Sequence, residues 1–127
     1  MEHLPNIEVT VQDHKNQLYD TAGDYGEDSV GWWLSISKSS DWRHEGLVLI
    51  HEFVEMMLTK NDGVKWSDVD DFDIHGEGKG HPDPGSLWNA PYHKEHKQAE
   101  QIEKRLAKML GVNWEEYNDA LDAMEYK

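Results

Sequence analysis

The sequence contains no cysteine. Disulfide frameworks, thiol nucleophiles and cysteine-held zinc are therefore excluded together, and any transition ion must be bound by His, Asp or Glu. Positive charge is scarce, with 12 Lys plus Arg against 26 Asp plus Glu and a formal net charge of -14. So acidic a chain repels phosphate backbones and anionic lipid, and neither nucleic acid nor a membrane surface is expected as a partner. A protein partner stays open, including the case of an acidic protein that imitates DNA. No run approaches the roughly 20 apolar residues needed to span a bilayer. Met1 to Pro5 lacks the basic and apolar regions of a signal peptide, so a cytoplasmic location is the expectation. Neither a nucleophile elbow of the Gly-x-Ser-x-Gly type nor a phosphate loop occurs. The acidic stretch from Asp68 to Gly78 lacks EF-hand spacing and offers at most a weak calcium site.

What is present suits a folded chain: 127 residues with six Trp and five Tyr predict one domain over residues 1–127. Ile7, Val9 and Val11 alternate with polar residues, as do Trp32, Leu34 and Ile36, so strands are expected within 1–38 with a loop at Gly23 to Gly26. Ser39, Ser40 or Asp41 can cap a helix over 42–60, and the Asn61, Asp62, Gly63 run can stop it. Residues 64–90, dense in Asp, Gly, Pro and His, read as a long acidic loop that walls a cleft. Pro91 opens a second helix over 91–110 with Ala99, Ile102, Leu106, Met109 and Leu110 as its apolar face, and Asn113 with Glu116 caps a last one over 113–125. The expected fold is α+β: a small antiparallel sheet packed on a buried helix, then a second long helix and a short C-terminal one.

The helix over 42–60 carries the chemistry. Leu47, Ile50, Phe53, Val54, Met57 and Leu58 fill one broad face, and His44, His51 and Glu55 fall on a narrow line opposite. A helix this apolar is expected to be buried, and buried imidazoles and carboxylates must pair, protonate or coordinate. His51 and Glu55, one turn apart, can converge on one ion, while Glu52 is turned about 100° away and can lean over water beside it. On the second helix His96 flanks the apolar face. His51, Glu55 and His96 then make two imidazoles and a carboxylate, a ligand set known for catalytic zinc. Glu100 is a substitute ligand or an acceptor that orients His96; His93 lies farther out, and Asp73 on the acidic loop can swing over the site. A dinuclear arrangement from His51, Glu55, His96 and Glu100 is the alternative count, and a hydrogen-bonded His51–Glu55 pair with no ion is another. Zn2+ is the expected ion, with another divalent transition metal as the alternative.

On His51, Glu52, Glu55 and the downstream His96, the chain resembles the zincin-like metallopeptidases, with Glu55 where that family's motif has a second His. It also looks like small uncharacterised proteins of bacteria and their phages with a His-Glu-x-x-Glu helix. The resemblance implies a sheet packed on a metal-site helix, His51 as a zinc ligand, Glu52 as general base, and a peptide or small amide as substrate. The expected activity is metal-dependent hydrolysis; the alternative is a non-catalytic acidic interaction protein with a structural metal or a His/Glu cluster.

Overall fold

A computed structural model describes residues 3–126; Met1, Glu2 and Lys127, at the ends of the domain expected from sequence, lie outside the described residues. The fold is α+β. Strands β1 (Asn6–Gln12), β2 (Gly23–Glu27) and β3 (Gly31–Ser37) form a sheet of order β1-β3-β2. The sheet is mixed, not wholly antiparallel as expected. β2 and β3 form an antiparallel pair, with Tyr25 opposite Leu34, whereas β1 lies parallel to β3 with Val9 opposite Leu34. The stretch read as a loop at Gly23 to Gly26 is thus a strand, since pairing with β3 outweighs its poor local propensity. Gly26 has a physical reason to lack a side chain: a Cβ there would lie 2.5 Å from the Trp33 ring.

Four helices follow: α1 (Trp42–Asn61), α2 (Trp66–Asp70), α3 (His93–Met109) and α4 (Trp114–Asp122). Asp41 caps α1 by accepting from the Arg43 N–H at 2.9 Å, and Asn113 caps α4 by accepting from Glu116 N–H at 2.9 Å. Gly63 and Gly111, at φ 75° and 72°, take the left-handed position beyond α1 and α3. The expected acidic loop is partly ordered. α2 continues into one π-helical turn, Asp71–His75, and a 3-10 turn occupies Pro84–Ser86. Trp66 holds this segment down, donating to Thr59 Oγ1 at 2.9 Å and meeting Tyr25 and Trp32 edge-on.

α1 lies between the sheet and α3. Its buried residues are Leu47, Val48, His51, Glu55, Met56 and Thr59, so His51 and Glu55 of the ligand line are buried while His44 is half-buried. Of the broad apolar face read from the sequence, Leu47 is fully buried, Ile50, Phe53, Val54 and Leu58 are half-buried and Met57 is exposed. On α3 the expected apolar face is borne out at Ala99, which is buried, and at Leu106 and Leu110, which pack against the core, while Ile102 and Met109 are exposed and His96, Glu103 and Ala107 are buried instead. The cause is mutual satisfaction, because polar groups from two helices that pair with each other can be buried together. Leu47 and Val48 pack with Ile36, Ala107 and Tyr117, and Met56 packs with Tyr25, Trp32 and Leu34. His51 and Glu55 sit between those two apolar clusters. Among the described residues no helix is long and apolar enough to cross a membrane.

Candidate metal centre

His51 and Glu55 reach the α1–α3 interface because they are one turn apart on α1, and His96 meets them from the first turns of α3. His51 Nε2 lies 3.0 Å from Glu55 Oε2, His96 Nδ1 lies 2.9 Å from the same oxygen, and the two nitrogens are 3.2 Å apart. Ligand atoms on a tetrahedral ion at about 2.0–2.1 Å would stand about 3.3 Å from one another. The triangle therefore needs only a few tenths of an ångström of expansion to hold such an ion. All three residues are buried, and they could hold a metal ion.

The atoms turned away from the triangle are also engaged. His51 Nδ1 is 2.7 Å from Glu103 Oε1, and Tyr117 on α4 donates its hydroxyl to the other oxygen of Glu103. His96 Nε2 is 2.9 Å from Asp83 Oδ1. The free oxygen of Glu55 accepts from the Tyr25 hydroxyl at 2.9 Å. Each imidazole is thus backed by a carboxylate, which fixes ring orientation and tautomer and strengthens the nitrogen facing the triangle. Packing enforces the same pose: a Cβ on Gly85 would lie 2.4 Å from His96 Cγ, so the loop crosses the imidazole at a distance only glycine permits.

Electrostatics follow from this burial. In His51, burial opposes the charged form, but the bonds to Glu103 and Glu55 prevail and raise its pKa well above the ordinary value. For His96 the same opposition by burial is overcome by Asp83 and Glu55, and its pKa is pushed up to about 9. Glu55 moves the other way: burial would raise it, yet the bonds to His51 and His96 bring it down to about 2. The carboxylates thus favour the protonated form of both imidazoles in the metal-free cluster, and an ion entering it competes with protons for their nitrogens.

Glu52 lies beside the triangle, its carboxyl raised well above the ordinary range by burial and then by the charge of Glu55. Among the described residues it takes part in none of the hydrogen bonds that fix its neighbours, and it lines an open cleft of about 810 Å³ with His51, Glu55 and His96. Strand β2 makes room for it at Gly23, where a Cβ would lie 2.6 Å from Glu52 Cγ.

The other residues singled out from the sequence are placed differently. Glu100 belongs with Asp83 and His96 to a second set that could hold a metal ion, not to the triangle, and it also approaches Lys97 at 3.8 Å. His93 donates to the Gly85 carbonyl at 3.1 Å. Asp73 accepts from Tyr92 at 2.6 Å and Tyr19 at 3.0 Å, and joins neither set. Sequence reasoning missed Asp83, Glu103, Tyr25 and Tyr117. For Glu103 a signal existed, since it lies two turns from His96 on the same face of α3.

No protein family, curated protein or solved structure matches the chain.

Proposed function

We propose that the protein is a metal-dependent hydrolase of the zincin type, acting on a peptide or small amide with Glu52 as general base. The observation that carries this reading is the triangle of His51 Nε2, His96 Nδ1 and Glu55 Oε2, spaced 2.9–3.2 Å and opening on a cleft beside a hydrogen-bond-free carboxylate. The donor set of two imidazoles and one carboxylate is that of catalytic zinc sites, in which a fourth position stays open. Zinc, when bound, supplies Lewis acidity that acidifies water and polarises a carbonyl oxygen.

The chain's own residues do the rest. Glu103 and Asp83 hold the two rings in the tautomers that aim a lone pair at the triangle. Tyr25 takes one oxygen of Glu55 and leaves the other for the ion. Glu52, its carboxyl raised by burial and by the charge of Glu55, accepts a proton from water in the cleft and returns it to the leaving nitrogen. The test is Glu52→Gln in the zinc-loaded protein. Amide hydrolysis should fall at least ~100-fold with metal content unchanged, and unaltered turnover would contradict the assignment.

One observation favours a bracing role instead: the cluster leaves no buried side-chain atom among the described residues without a hydrogen-bond partner. If the ion only braces the α1–α3 interface, chelation should lower the melting temperature markedly and no capped peptide should be cleaved by the loaded protein.

A further inference from the structure

β1 and β2 are the two edges of the sheet, and β2 borders the cleft, which no residue of β1 lines. Lys38 N–H donates to the Gln12 carbonyl at 2.7 Å, so Gln12 turns its backbone toward β3, while Ser37 N–H donates to Ala22 on the β2 side at 2.8 Å. By the alternation of a parallel pair, Asn6, Glu8 and Thr10 face β3 as Gln12 does, and the N–H and C=O groups of Ile7, Val9 and Val11 point out of the sheet edge. Among the described residues no backbone hydrogen bond reaches these outward groups. Val9 and Val11 lie in register with Leu34 and Ile36, which are each 1% exposed against the core, yet are themselves 46% and 47% exposed. Apolar side chains on the core-facing side of the sheet thus run out past their cover. From Asn6 to Gln12 the strand carries no Pro, no Lys and no bulge, the usual means of keeping an edge from pairing.

We propose that β1 is the interface of a homodimer, in which a second copy of this chain adds its own β1 antiparallel across a two-fold axis at Val9 and merges the two sheets into one. The strand is complementary to itself in that register. Val9 stands opposite Val9 of the partner subunit and Ile7 opposite the partner's Val11, so each outward-facing residue exchanges both of its backbone hydrogen bonds. On the core-facing side these same pairs cover one another's apolar side chains, and on the other side Glu8, the one charge of the strand, meets the partner's Thr10. Neighbouring registers are worse. An axis at Glu8 sets that carboxylate against the partner's Glu8 and Val11 against the partner's Pro5, which has no N–H. An axis at Thr10 sets Ile7 against Asp13, which lies beyond the strand and whose carbonyl is already taken by Asn16 N–H. The opposing force is the net charge of -14 on each copy, which acts at long range and is screened by salt. The inference is independent of the hydrolase reading, because β1 takes no part in the cleft.

The test is sedimentation equilibrium of the full chain over a concentration series. In about 0.5 M salt it should pass from monomer at ~2 μM to dimer at ~200 μM, and in about 0.02 M salt the dissociation constant should rise at least ~10-fold. Val9→Lys and Val9→Glu, at a half-exposed position, should each remain monomeric, because like charges then face each other across the axis. An equimolar mixture of the two variants should associate again, which a merely misfolded variant would not do, and far-UV circular dichroism confirms the fold of each. Amide hydrogen exchange followed by NMR locates the interface: protection should rise at least ~3-fold with concentration at Ile7, Val9 and Val11 and stay constant at Glu8 and Thr10. A chain that stays monomeric at ~200 μM in both salts overturns the proposal, and so does a dimer that survives both substitutions. Protection that rises elsewhere than on alternate residues of β1, or an edge that takes up only the strand of a different protein, overturns it equally.

Discussion

His51 and His96 turn different nitrogens toward each other, Nε2 of the first lying 3.2 Å from Nδ1 of the second. The two rings must therefore carry their protons on opposite atoms when an ion sits between them: His51 on Nδ1, donated to Glu103, and His96 on Nε2, donated to Asp83. Nitrogen-15 NMR of the zinc-loaded protein should show one histidine of each tautomer shifted by metal. Two metal-shifted rings of the same tautomer would contradict the geometry.

The hydroxyl of Tyr117 should matter to an ion it never touches. Tyr117→Phe removes a donor from the buried Glu103 carboxylate, which should cost about 1–3 kcal/mol of stability. It should also weaken zinc binding about tenfold by loosening the acceptor behind His51. A competition titration against a chromophoric chelator, with a parallel denaturant melt, measures both.

Gly23→Ala should separate catalysis from metal binding. The new methyl would lie 2.6 Å from Glu52 Cγ and 2.7 Å from Val48 Cγ1, so Glu52 must move while His51, Glu55 and His96 need not. Turnover should drop at least ~10-fold and zinc stoichiometry should hold, with about 1–3 kcal/mol lost to overpacking. Elemental analysis beside an activity assay checks this.

Acidity should act with opposite sign on the metal-free and metal-loaded forms. Raised histidines stabilise the metal-free fold most below their unfolded pKa of 6.5, and for His96 that contribution disappears as the pH climbs through about 9. Glu55, depressed from 4.5 to about 2, contributes above 4.5 and loses its effect as the pH falls through about 2. Chelated protein should thus melt highest at about pH 5–6 and lower at about pH 10. Zinc affinity should rise with pH over the same alkaline range, because the ion competes with protons for His51 and His96. Melting curves with and without chelator across this range decide the matter.

Periodicity made β1, β3, α1, α3 and α4 legible, since each carries its pattern within one segment. β2 was hidden because Gly23, Asp24 and Gly26 have turn-like local preferences, and only pairing with β3 makes them a strand. His51, Glu55 and His96 could be nominated because two of them share a helix and the third lies on the next long one. That His51 and Glu55 are buried could be read from the apolar residues around them, but not which groups meet them, because hydropathy ignores partners on another element. Asp83 lies in an irregular loop, and Tyr25 and Tyr117 lie on other elements than the ligands they support, so no local spacing announces them. Glu103, two turns beyond His96, was the exception.

Residue 117 follows every ligand and every backing group of the triangle in chain order, and its hydroxyl closes the line from α4 through Glu103 to His51. On a ribosome, the cluster would be finished last from its far end. A nascent chain halted short of α4 would already carry its ligands but would leave the Glu103 carboxylate unclamped. Tight capture of a metal ion would then mark completion of the C-terminal helix, a segment that the ion itself would never meet.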